Sequence, residues 1–149
     1  MRSSTFVMGL LAALFAGSVV AADMTPIGSW RTIDDKTGKV KSIVEISDAG
    51  GGKLVGKVAQ VLNSEKGPNR TCELCTGDRK DKPVTGMVIL WDVKQDGDVW
   101  DGGTILDPNN GKTYGVKLTP MENGAKLQVR GFMGFSWLGR TQVWERVTP

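Results

Sequence analysis

Residues 112–132, KTYGVKLTPMENGAKLQVRGF, carry the pattern that decides the fold. Tyr114, Val116 and Leu118 oppose Thr113, Lys117 and Thr119, and Leu127, Val129 and Gly131 alternate with Lys126, Gln128 and Arg130. In a strand successive side chains point to opposite faces, so each run reads as a strand with one face buried. The stretch from Glu122 to Ala125 supplies the turn between them. Leu54 and Val58 oppose Lys53 and Lys57 in the same way.

Outward from this hairpin, turn signals recur roughly every 8 to 12 residues: Asp34 to Gly38, Asp48 to Gly52, Gln95 to Asp98 and Asp107 to Gly111. Eight strands are expected, at about 28–33, 40–47, 53–61, 86–94, 99–106, 112–119, 126–132 and 140–147. Short connections favour pairing between chain neighbours, and closure removes exposed edges. The reading is an all-β, eight-stranded antiparallel up-and-down barrel, with a two-sheet sandwich as the alternative. Glycines inside strands, Gly56, Gly102, Gly103, Gly115 and Gly131, mark corners or clear space for something inside. The long 62–85 connection covers a barrel end, as a lid or as a mobile flap.

The first 22 of the 149 residues read as a secretory signal: Arg2, an apolar run from Phe6 to Ala16, and a small-residue stretch ending Val20, Ala21, Ala22. The expected organisation is a signal peptide at 1–22 and one barrel domain at 23–149, soluble, and periplasmic or secreted. Without Arg2, 18 basic residues face 16 acidic ones, a balance that excludes a polyanion partner such as nucleic acid. No histidine occurs, which removes Ser-His-Asp and Cys-His sites, His-ligated haem and nearly all catalytic zinc arrangements. No later apolar run is long enough for a membrane helix, so no transmembrane anchor is expected.

Cys72 and Cys75 form the only cysteine pair, in a loop-like stretch with Gly67, Pro68, Gly77 and Pro83. In an exported protein the default is a disulfide staple. Thiol-disulfide catalysis would need a strand-to-helix context for the Cys-x-x-Cys pair, and the succeeding Thr76 and Gly77 do not give one.

Gly28 and Trp30 on the first strand, with Arg140 or Arg146 on the last, form a closure device: in a closed meander these strands are neighbours and an arginine can lie across the indole. Phe132, Met133, Phe135, Trp137 and Leu138 make an apolar hook that plugs the barrel, lines a pocket mouth or meets a partner. Tyr114, Phe135 and Trp137 are the candidate ligand-binding residues, with Trp91, Trp100 and Trp144 completing an aromatic interior. Asp96, Asp98, Asp101 and Asp107 cluster at turns, where aspartate bonds nearby backbone N–H groups; no metal site and no cofactor is expected from them. Gly111, Lys112 and Thr113 end like a phosphate-binding loop, but Leu106 occupies its first glycine position, so ILDPNNGKTY reads as a hairpin.

GSWRTIDDKTGK, the VEI strand, CELC with Gly77 and Arg79 after it, KPVTGM, GGTILDPNNGKTY, LQVRGFMG and the closing GRTQVW resemble, in this order, an uncharacterised family of exported bacterial proteins classed as a domain of unknown function. The resemblance covers the mature chain and implies a lipocalin-like β-barrel that binds a small hydrophobic or amphipathic molecule. It supplies no site residues. The leading expectation is therefore a non-enzymatic binding barrel. The alternatives are an envelope structural or interaction protein with a filled barrel and the hook as its contact, and a disulfide-dependent redox protein.

Overall fold

The computed structural model describes residues 24–135 and 138–148. Eight strands close into one antiparallel barrel in which each pairs with its chain neighbours. They are β1 (Gly28–Ile33), β2 (Val40–Asp48), β3 (Lys53–Val61), β4 (Val88–Asp96), β5 (Val99–Asp107), β6 (Lys112–Met121), β7 (Lys126–Phe132) and β8 (Gly139–Arg146). All eight expected strands are present, and a closed barrel replaces the sandwich alternative. The expected 62–85 connection runs two residues longer, because β4 starts at Val88. β6 continues past Thr119, with Pro120 in register opposite Leu127; proline is tolerated there because the strand is near its end.

Alternation sorts the wall into two faces. Val116, Leu118, Leu127 and Val129 are buried, while Lys117, Gln128, Glu45 and Lys57 lie on the outer side. Trp30, Leu90, Leu118 and Leu127 are fully buried, each contributing about 1.5–3 kcal/mol through removal of apolar surface from water. The charged outer wall is the reverse of the apolar band a transmembrane barrel presents to lipid. No helix among the described residues is long and apolar enough to cross a membrane.

The wall bends where β4 crosses β5. Gly102 has φ 76°, and the β5–β6 register shifts between Trp100 and Gly103. A Cβ on Gly103 would stand 2.5 Å from the Trp91 carbonyl oxygen and 2.7 Å from the Val93 nitrogen, so only glycine lets the strands approach this closely. The β2–β3, β4–β5 and β6–β7 turns gather at one end of the barrel, with residues 24–27. The β1–β2, β3–β4, β5–β6 and β7–β8 connections gather at the other.

Candidate functional site

The first end is sealed. Trp30 is 0% exposed, and its indole N–H donates to the Pro26 carbonyl at 2.7 Å. The Arg146 guanidinium lies 4.3 Å over the ring. Its Nη1 donates to the Ile27 carbonyl at 2.9 Å, its Nη2 to that of Thr25 at 2.8 Å, and its Nε to that of Gly124. Gly28 sits at φ 137°, and a Cβ there would collide with Arg146 Nη1. Of the two arginines the sequence offers, Arg146 is the one on the indole. Arg140, the second residue of β8, lies at the opposite end, where its Nη1 stands 3.4 Å from Asp35.

The second end opens into a cavity of about 510 Å3, within the range of small-molecule sites. Its inner wall is apolar: Val58, Leu106, Val129 and Trp144, all buried, together with Val61 and Ile89. The buried polar residue of the lining is Thr32, near the open end of β1, whose hydroxyl pairs with that of Ser42 at 2.7 Å. Gly131 also lines the space, and a Cβ there would meet only Tyr114 Cβ at 3.8 Å and Ile105 Cγ2 at 3.9 Å, ordinary contacts. This strand glycine leaves room rather than turning a corner.

Tyr114 lines the cavity, and its hydroxyl accepts from the Asn110 side-chain amide at 2.8 Å. Phe135 does not: it is 67% exposed and stands outside the lining. Trp137 falls outside the described residues. Phe132, Met133 and Leu138 do reach the cavity, with Met133 55% and Leu138 54% exposed, so the described residues of the hook form a rim and not a core plug. Phe132 lies over Gly115, where a Cβ would come within 2.6 Å of its ring. Trp144 faces the cavity, but Trp91 does not join an aromatic interior: it is half-buried on β4, with Arg79 of the long connection 4.5 Å from its ring. The aspartates work locally, Asp101 accepting from Gly102 N at 2.7 Å and facing Lys117 at 3.4 Å, Asp107 accepting from Asn109 N at 2.9 Å.

The 62–87 connection is pinned. Cys72 and Cys75 are joined by a disulfide and are 0% and 3% exposed. The chain then makes a single 3-10 turn, Gly77–Arg79, too short to give the pair the helix that redox chemistry exploits. Thr71 bridges Pro83, Cys72 N donates to the Lys82 carbonyl at 2.8 Å, and the Val84 N donates to that of Arg70 at 3.0 Å. Gly111 of the β5–β6 hairpin lies so close to the Leu74 carbonyl that no side chain fits between them. A staple therefore braces two connections against each other at the cavity mouth.

Arg70, on this braced connection, carries no sequence signal: it is one arginine in a Gly/Pro-rich loop. It lines the cavity, with Nη1 donating to Asn109 Oδ1 at 2.8 Å and Nη2 to the Pro108 carbonyl at 3.0 Å. Its Nε is buried and has no acceptor. Beside it a polar groove of about 560 Å3 runs from the mouth along Asn63, Ser64, Lys66 and Glu73. The Lys66 ammonium bonded to Glu73 holds that carboxyl below the ordinary range, and the Thr37 amide and hydroxyl do the same for Asp34.

Residues 28–146 match a protein family described as "Uncharacterized protein conserved in bacteria (DUF2147)". The chain belongs to this family. The family match begins and ends on the sealed end, at Gly28 and Arg146. Among solved structures the chain is similar to protein HP1028 from the human pathogen Helicobacter pylori, described as belonging to the lipocalin family. The two share 22% sequence identity and a TM-score of 0.71, over 85% of this chain and 84% of that one, a likeness of fold. No curated protein matches the chain.

Proposed function

We propose that this DUF2147 barrel binds one small hydrophobic or amphipathic molecule in the cavity and acts as a carrier or scavenger, not as an enzyme. The observation that carries this reading is the asymmetry of the barrel: an apolar cavity of about 510 Å3 open at one end, with Trp30 and Arg146 sealing the other. Affinity would come from covering ligand surface with Val58, Leu106, Val129 and Trp144, while the few polar groups at the mouth set orientation. A lipocalin-like neighbour supports the same reading by analogy of fold. The open space weighs against a filled barrel. The buried disulfide supports a place outside the cytoplasm, after removal of residues 1–22, leaving 23–149 as one barrel domain.

The direct test is titration of the oxidised protein with the neutral apolar fluorophore N-phenyl-1-naphthylamine. Binding is expected in the wild type and is expected to be lost in Gly131→Leu, which grows a side chain from a position facing Tyr114 and Ile105. A wild type that leaves the fluorophore in water, or a Gly131→Leu variant that binds it equally well, rejects the cavity as the site. Exposure of Met133, Phe135 and Leu138 favours a second reading, contact with a protein partner through the rim. Crosslinking from position 135 in the exported fraction tests it.

A further inference from the structure

The mouth of the cavity carries charge that its apolar lining does not explain. Four charged residues reach the lining: Lys41, Arg70, Asp107 and Arg140. Lys41 stands 3.7 Å from Asp34, and Arg140 stands 3.4 Å from Asp35. Asp107 accepts a backbone N–H. Arg70 differs from all of these. Among the described residues no carboxylate lies within ion-pair distance of it, its two terminal nitrogens are spent on neutral oxygens of the β5–β6 hairpin, and its Nε has no acceptor. Glu73 feels its charge, but that carboxylate is bonded to Lys66.

The placement of Arg70 matters as much as its charge. It borders both the apolar cavity and the polar groove, along with Lys41, Asn63, Ser64, Pro108 and Asn109. The groove contributes Lys39 and Lys66 as further cations, against Asp34, Glu65 and Glu73. A molecule with its tail among Val58, Leu106 and Trp144 would bring its head to the border where Arg70 stands. Each terminal nitrogen of Arg70 uses one donor on the hairpin and carries a second N–H, and a guanidinium without a carboxylate partner is best satisfied by an anion.

We propose that the ligand is a single-chain amphiphile with an anionic head, its tail in the cavity and its carboxylate or equivalent anion at Arg70, with Lys41 adding attraction. This rests on the cavity reading above and goes beyond it by fixing the sign of the head group. The braced disulfide connection then has a role in recognition, since it holds Arg70 at the mouth.

Competition against bound N-phenyl-1-naphthylamine separates the two levels, using decanoate, decanol and decyltrimethylammonium, which share a tail and differ in head. Decanoate is expected to compete about tenfold more tightly than decanol, the worth of one charge-assisted hydrogen bond, with decyltrimethylammonium weaker than both. In Arg70→Gln the ratio of decanoate to decanol is expected to fall toward one while decanol itself is unchanged; a merely structural role would lower both together. If Arg70→Gln disorders the mouth, the wild type still decides: the preference for decanoate must shrink as salt is raised, because the mouth is open to solvent. Equal competition by all three probes, or a preference insensitive both to salt and to Arg70→Gln, overturns the head-group assignment and leaves the cavity reading standing. Failure of the fluorophore itself to bind removes both.

Discussion

The two ends of the barrel use arginine in opposite ways. At the sealed end Arg146 is surrounded: the β1 indole of Trp30 beneath it and three carbonyls around its nitrogens, supplied by the β6–β7 turn and the residues before β1. At the open end Arg70 is held by two oxygens of one hairpin, on a connection long enough to need a disulfide, and keeps one buried N–H unsatisfied. A guanidinium ringed by carbonyls and an indole fastens the chain, whereas one without a carboxylate partner can take an anion. On the proposed reading, stability and recognition are separated along the barrel axis.

Substitutions can break or sharpen that division. The largest loss of stability is expected from Trp30→Ala, about 3–5 kcal/mol in urea unfolding, because a fully buried indole is replaced by a void. Arg146→Met should cost about 3 kcal/mol by leaving carbonyls at the sealed end without donors. Neither is expected to change the ranking of ligands, measured by competition at a temperature where both variants remain folded. If either reorders the ligands, the ends are coupled.

Joint replacement of Cys72 and Cys75 by serine is expected to cost about 2 kcal/mol, since a disulfide of sequence separation 3 closes a small ring. Unlike the sealed-end variants it should also weaken binding, through Arg70 and the braced hairpin. Gly131→Leu should shift stability by no more than about 1 kcal/mol while abolishing fluorophore binding, the cleanest separation of the two properties. The smallest effect is electrostatic. Asp34 and Glu73 are held below their ordinary range, so the stability they add is present above the unfolded pKa, about 4, and is lost as pH falls through the lower folded values. Acid should therefore loosen the β1–β2 turn and the Lys66–Glu73 pair at the open end first, seen as loss of the Thr37 amide resonance before global unfolding.

The barrel is legible in the sequence because its information is local. Alternation of Leu127, Val129 and Gly131 with Lys126, Gln128 and Arg130, repeated between turn residues, names both the strand and its buried face. The Trp30 and Arg146 pairing is readable too, since closure of a meander dictates that its first and last strands meet; which arginine fills the position needs the register. The mouth is not readable in this way. Phe135 is a candidate because large apolar residues in a loop signal contact, yet composition cannot tell a side chain that lines a cavity from one that stands beside it. Arg70 escapes because what sets it apart is the lack of a carboxylate partner at the cavity mouth, and that is a property of three-dimensional packing. Trp91 is comparable: an aromatic residue in a strand, turned outward and covered by Arg79 from a connection whose path has no periodicity to reveal it.

One consequence concerns mechanical strength. The β7–β8 ladder has seven register pairs and the β1–β8 seam has two, Trp30 with Arg146 and Arg31 with Glu145. The seam is the shortest ladder in the wall and joins the strands most distant in the chain, so the rim of staves would be expected to part there under load. Yet its first pair is made of the same two residues that stack as cation and indole. Beside the short ladder and the Val147 N–H to Ser29 carbonyl bond, side chains act as the buckle of the hoop. A force applied between residues 28 and 146 should therefore meet much of its resistance in one side chain, Arg146, through its stack on Trp30 and its bonds to the Ile27 and Thr25 carbonyls, and yield abruptly once these open.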